Sequence, residues 1–153
     1  MPPGWDRASA RVIAAPADRV YAALVDPEQV ARWRVPDGMT SEVHEFEARE
    51  GGAVRISLTY DSGPSVGKSS ARTDTYRGHF ARLVPGELVV EVVEFESPDP
   101  ALRGAMTMTT RLIPVEDGVL VEIVHEGVPD VVAPADNETG TRMALDRLAR
   151  IVE

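Results

Sequence analysis

Between Ala14 and Trp33 the chain reads AAPADRVYAALVDPEQVARW, and its two prolines divide this stretch into two short helices. Pro16 suits a helix start, because the first N–H groups of a helix have no partner within it and a missing one costs nothing there. Val20, Ala23 and Leu24 then recur at i, i+3 and i+4, and Asp26-Pro27 ends that helix and opens the next, which closes on Trp33. The polar Pro36-Asp37-Gly38 turn completes the unit.

What surrounds this pair of helices is of another kind. Residues 7–15 alternate as a first strand. After the turn come strand candidates at 40–47, 53–60, 73–84, 87–96, 105–115 and 118–127. Gly51-Gly52, Pro85-Gly86 and Asp117-Gly118 mark hairpins between them. Strands this closely spaced, without helices in between, predict an antiparallel sheet. From about Asp136 the period changes. Ala144, Leu145, Leu148, Ile151 and Val152 form one apolar face, with Arg142, Asp146, Arg147 and Arg150 largely off it. Asp136 or Asn137 is placed to cap this terminal helix, with Glu138 near its positive end. A curved seven-stranded sheet needs its concave face covered, and only this helix is long enough to do so. The expectation is one α+β domain over 1–153, with residues 1–6 a flexible N-terminus.

Composition narrows the function classes. At 153 residues, 43% hydrophobic and 27% charged, the chain suits a single globular core. A net charge of −9 without a basic stripe argues against nucleic acid as a partner. The absence of cysteine excludes disulfides, thiolate metal sites and cysteine nucleophiles, and is consistent with a cytoplasmic address. The N-terminus MPPGWDRASA lacks an apolar signal core, and no window approaches the roughly 18 apolar residues of a membrane span. Every basic residue but Lys68 is arginine, read as a genomic bias of bacterial type.

The Ala14–Trp33 pattern resembles the N-terminal signature of the START-like (SRPBCC) superfamily, in the branch related to the activator of heat-shock protein 90 ATPase. Further matches follow in order: Pro36-Asp37-Gly38-Met39 with Val43 and Phe46, then Gly51-Gly52 with Val54 and Arg55. Tyr76-Arg77-Gly78 with Pro85-Gly86-Glu87-Leu88, His125-Glu126-Gly127-Val128-Pro129 and Leu145-Asp146-Arg147-Leu148 complete the series over residues 8–152. The resemblance implies a helix-grip fold: two short helices after the first strand, and a seven-stranded antiparallel sheet curved around a long C-terminal helix, with a cavity between. Relatives often carry Gly-Trp entering that helix. Here Gly140 precedes Thr141, which implies a larger or reshaped cavity mouth.

Several motifs invite chemistry. The stretch Gly63-Pro64-Ser65-Val66-Gly67-Lys68-Ser69 suggests a phosphate-binding loop, but the spacing requires glycine where Ser62 stands. It also leads into a strand and not a helix, so a hairpin loop near the cavity mouth is the reading. His44, His79 and His125 show no paired ligand spacing, and no metal site is expected. In Val121-Glu122-Ile123-Val124-His125, a period of two puts His125 inward, either bonded to a core carbonyl or hydroxyl, or serving as a polar anchor in the cavity. In Leu88–Phe95 both parities are partly apolar. If Glu91 faces solvent, Glu94 faces the terminal helix, inside the cavity or at its rim. Met106 and Met108 share a face, and methionine suits either an irregular core or a variable ligand.

The expected function is to hold a small apolar or amphipathic molecule between the sheet and the terminal helix. Trp33, Met39, Tyr76, Phe80, Met106, Met108 and Met143 would form the wall, with Glu94 and His125 as polar anchors. No catalytic residue, cofactor or metal is assigned. The resemblance leaves two alternatives. One is a polyketide cyclase/dehydratase-like enzyme pairing His125 with Glu94 or Tyr76. The other is a co-chaperone-like interaction protein, although members with that role carry an additional N-terminal domain. It also leaves room for a homodimer.

Overall fold

A computed structural model of the chain describes residues 5–61, 73–129 and 132–153, the first three of these as backbone only. The element order is β1 (Trp5–Ile13), α1 (Ala17–Val25), α2 (Pro27–Trp33), β2 (Met39–Phe46), β3 (Ala53–Tyr60), β4 (Thr73–Val84), β5 (Leu88–Phe95), β6 (Met106–Val115), β7 (Gly118–Val128) and α3 (Pro134–Val152). A single 3-10 turn, Pro100–Leu102, bridges β5 and β6. The seven strands form one antiparallel sheet in the order β1-β7-β6-β5-β4-β3-β2. This is the helix-grip arrangement, with α3 packed into the curved sheet. The glycine- and lysine-bearing loop Gly63–Ser69 lies outside the described residues.

Local chemistry accounts for the helices. Val20, Ala23 and Leu24 are the buried face of α1. Asp26 caps α2, accepting from the Glu28 N–H at 3.0 Å and from Gln29 Nε2 at 2.9 Å, with Pro27 in the first turn. Trp33 Nε1 donates to the Ala23 carbonyl at 2.9 Å and ties α2 onto α1. Arg19 reaches the far end of the fold, donating to the Val152 and Ile151 carbonyls at 3.0 and 3.1 Å and so satisfying the C-terminal turn of α3. That helix starts earlier than its periodicity suggests. Ala133 occupies the cap position without a side-chain bond, Pro134 opens the first turn, and Asp136 and Asn137 lie inside the helix and not at its cap.

β-Bulges or register shifts fall between Trp5 and Arg7, between Val43 and Glu45 and between Phe80 and Arg82, and such irregularities bend a sheet. Gly78 allows β4 and β5 to approach closely: a Cβ there would sit 1.8 Å from the Val92 carbonyl oxygen. The core is continuous in one half of the fold. There Ile13, Val54, Ile56, Phe80, Val89 and Val121 pack against Leu145, Leu148, Ala149 and Val152 of α3. In the other half, the first turns of α3 stand off the sheet.

Candidate functional site

The gap beneath the first turns of α3 is a cavity of about 540 Å³. Its floor is the concave face of β3 to β7, its roof is α3 from Asp136 to Ala144, and one wall is the segment Trp33–Asp37 that leaves α2. Register explains the floor. Glu91, Met108 and His125 are direct cross-strand partners on β5, β6 and β7, as are Val93 and Met106 one step along and Phe95 and Tyr76 beyond them. Residues directly opposite share a face of a sheet, so these rows all point inward.

Seven of the residues expected at the site do line the cavity: Trp33, Met39, Tyr76, Met106, Met108, His125 and Met143. Trp33 is nearly fully buried, and Met143 Sδ accepts from the Asp37 N–H at 3.5 Å. Gly140 and Thr141 also line the space, and the Thr141 hydroxyl donates back to the Asn137 carbonyl at 2.8 Å. Two expected residues are elsewhere. Phe80 faces the same side of the sheet but is wholly buried in the packed half, edge-on to Phe46 with ring centroids 5.1 Å apart. It is core and not cavity wall. Glu94 is neither anchor nor rim: its neighbours Val93 and Phe95 line the cavity, so Glu94 points to the outer face, opposite exposed Arg77. The His125–Glu94 pair is therefore not formed.

On β5 the condition under which Glu94 would face inward is not met: the buried carboxylate is Glu91, which is 2% exposed. Its partner, Arg34, was not anticipated from the sequence. Arg34 terminates α2 immediately after the anchored Trp33, so its side chain is aimed inward. Arg34 Nη1 donates to both Glu91 carboxylate oxygens at 2.9 and 3.0 Å, and Nη2 donates to the Tyr76 hydroxyl at 2.9 Å. The guanidinium carbon also lies 5.6 Å from the Tyr76 ring centroid. Burial alone would lower the Arg34 pKa, but the Glu91 charge, the Tyr76 group and the bonds to both outweigh it and hold it above the usual guanidinium range. Burial pushes the Tyr76 phenol up, with Arg34 partly offsetting it, so this tyrosine stays protonated.

The alternation of β5 left the side of Glu91 open, since Val89, Glu91, Val93 and Phe95 are as apolar a set as Leu88, Val90, Val92 and Glu94. A regular hairpin across Pro85-Gly86 would place Glu91 opposite Ala81. The bulge after Phe80 shifts β4 by one residue, so that Phe80 stands opposite Glu91 and joins it on the inner face.

His125 faces inward as its alternation implied. Burial, with a contribution from the Arg34 charge, lowers its pKa to about 4, so the ring is neutral at pH 7. The other histidines lie on the outside. His79 is exposed, while His44 Nε2 lies 2.8 Å from Ser57 Oγ, which in turn lies 2.7 Å from Thr75 Oγ1. This His–Ser contact is a structural tie, since the serine is 8% exposed and its hydroxyl is engaged on both sides. Among the described residues, no three His, Asp or Glu side chains converge as metal ligands, and no helix is long and apolar enough to cross a membrane.

Comparison with solved structures sets this architecture among known proteins. A crystal structure of a Chromobacterium violaceum protein superposes with a TM-score of 0.85 at 34% identity, over 97% of this chain and 96% of that one. A Rhodobacter sphaeroides protein gives 0.79 at 22% identity, over 98% and 94%. The AHSA1-like protein of Aeromonas hydrophila gives 0.73 at 16% identity, over 97% and 92%. No curated protein matches the chain. Residues 14–153 match the model of the activator of Hsp90 ATPase homolog 1-like proteins, and the chain belongs to that family.

Proposed function

We propose that this protein binds one small, largely apolar molecule between the concave face of the sheet and the first half of α3. The observation that carries the reading is the division of a single inner face into a solid half and a hollow half. Phe80 and Leu145 close one side completely, while Met106, Met108 and Tyr76 line about 540 Å³ of space on the other. That volume falls within the range of small-molecule sites, and the balance of a mostly apolar wall with a few fixed polar groups is also theirs. Tyr76, held by Arg34, which Glu91 in turn fixes, and neutral His125 supply those polar groups. Flexible methionines on the floor suit a ligand of irregular shape.

The test is saturable binding of the neutral fluorophore N-phenyl-1-naphthylamine. One site per chain is expected, lost or strongly weakened in Thr141→Trp, which restores an aromatic at a position lining the cavity. Native mass spectrometry of gently purified protein would report a retained ligand and the subunit count together. Absence of saturable binding, or binding indifferent to Thr141→Trp in a folded variant, would overturn the reading.

A further inference from the structure

The polar groups of the cavity have a definite sense of charge and of hydrogen-bond direction. Arg34 is the cation on the cavity wall among the described residues. Glu91 takes up its charge through both carboxylate oxygens, and its second nitrogen is committed to Tyr76. The remaining acidic or basic side chains of the described lining are carboxyl groups: Asp37, which is engaged by Arg147 Nη2, with Asp74 and Asp136. His125 contributes no charge at neutral pH. An entering carboxylate would therefore meet a cation already compensated by Glu91 and no other cation on the described lining, at the cost of its own hydration.

Tyr76 adds direction. Its oxygen accepts from Arg34 Nη2 at 2.9 Å, and its own O–H has no acceptor among the described residues. A phenol carries one proton to donate, and Tyr76 lines the cavity, so a bound molecule is placed to accept it. A charged donor on the oxygen polarises the O–H and strengthens the bond it gives. Across the space, Asn137 Oδ1 on α3 is buried without a hydrogen-bond partner, a second uncharged polar contact.

From this arrangement we propose that the ligand is uncharged and presents a carbonyl-type oxygen to the Tyr76 hydroxyl, with its apolar body lying along Met106 and Met108. The inference rests on the cavity-binding reading and narrows it to a chemical class: ketones, esters, amides or quinones in preference to carboxylic acids or amines.

A matched naphthalene series tests it by displacement of N-phenyl-1-naphthylamine: 2-acetylnaphthalene, 2-ethylnaphthalene without the acceptor, 2-naphthoate as anion and 2-naphthylmethylamine as cation. The ketone should bind about three- to tenfold tighter than the ethyl compound, the worth of one neutral hydrogen bond. Tyr76→Phe should erase that advantage while still binding the fluorophore. In the wild-type protein the carbonyl stretch of bound 2-acetylnaphthalene should move to lower frequency than in hydrocarbon solvent, a readout that needs no variant. If the fluorophore binds but the ketone shows no advantage and no shifted stretch, the inference fails and the cavity reading survives. Tighter binding of the naphthoate or of the amine also overturns it. If the fluorophore itself does not bind, the cavity reading fails first.

Discussion

Replacing Arg34 by methionine should be among the most damaging changes in this protein, although the new side chain is apolar and of similar length. Arg34 and Glu91 have side chains 9% and 3% exposed, and Arg34 makes three hydrogen bonds of 2.9–3.0 Å to Glu91 and Tyr76. In Arg34→Met the Glu91 carboxylate stays in the apolar sheet face with its cation gone. Breaking a buried pair from one side costs about 3–5 kcal/mol, more than the bonds themselves, because a charge is left without compensation. Against a whole-domain stability of about 5–15 kcal/mol this is a large fraction. At this chain length it corresponds to a fall in Tm of about 6–20 °C. Arg34→Met/Glu91→Leu removes both charges and should regain most of the loss, to within about 1 kcal/mol of the parent. Urea unfolding followed by circular dichroism, with the slope m unchanged, measures all the corners of this cycle. A single-variant loss below about 1 kcal/mol, or strict additivity in the double variant, would refute the claim that the two side chains act as one desolvated pair.

Acid should weaken the fold through His125. Its folded pKa of about 4 lies below the value of 6.5 in the unfolded chain, so the unfolded state binds the extra proton between those values. Stability is full above pH 6.5 and falls as pH drops toward 4, by up to about 3 kcal/mol. His125→Gln should flatten that part of the profile, and an NMR titration placing the His125 imidazole itself near 6.5 would contradict it. Phe80→Ala should cost about 3–5 kcal/mol in urea unfolding, whereas Met106→Ala, beside an existing void, should cost nearer about 2 kcal/mol; equal costs would deny the solid and hollow halves. Gly78→Ala should lose about 1–3 kcal/mol or more, since its methyl would meet the Val92 carbonyl, and a neutral result would show that β4 and β5 separate easily.

Much of the architecture follows from patterns a few residues long. The apolar spacing in α1, the Asp26-Pro27 break and the hairpin pairs around Gly51 and Gly86 are local causes with local effects, and each element formed where those causes stood. Alternation likewise aimed Met106, Met108 and His125 at the concave face. Where two local patterns tie, the sequence has no vote. In Leu88–Phe95 either parity carries three apolar residues and one glutamate, and the choice between Glu91 and Glu94 falls to the tertiary fold, which buries Val89, Glu91 and Val93 together and supplies Arg34 as the partner of Glu91. The helix cap failed for a related reason: Pro134 starts α3 a turn early and leaves Asp136 and Asn137 inside it.

The sequence by itself determined the order of the elements, the antiparallel sheet and the inward aim of Met106, Met108 and His125, because these depend on periodicity and turn chemistry. Only the tertiary structure decided which half of the inner face is filled and which is hollow. It also brought Arg34, at the end of α2, against Glu91 and Tyr76 on strands 57 and 42 residues away. Such a pair leaves no periodic trace. Its stability comes from desolvation and geometry, and those exist only once the helices have closed on the sheet.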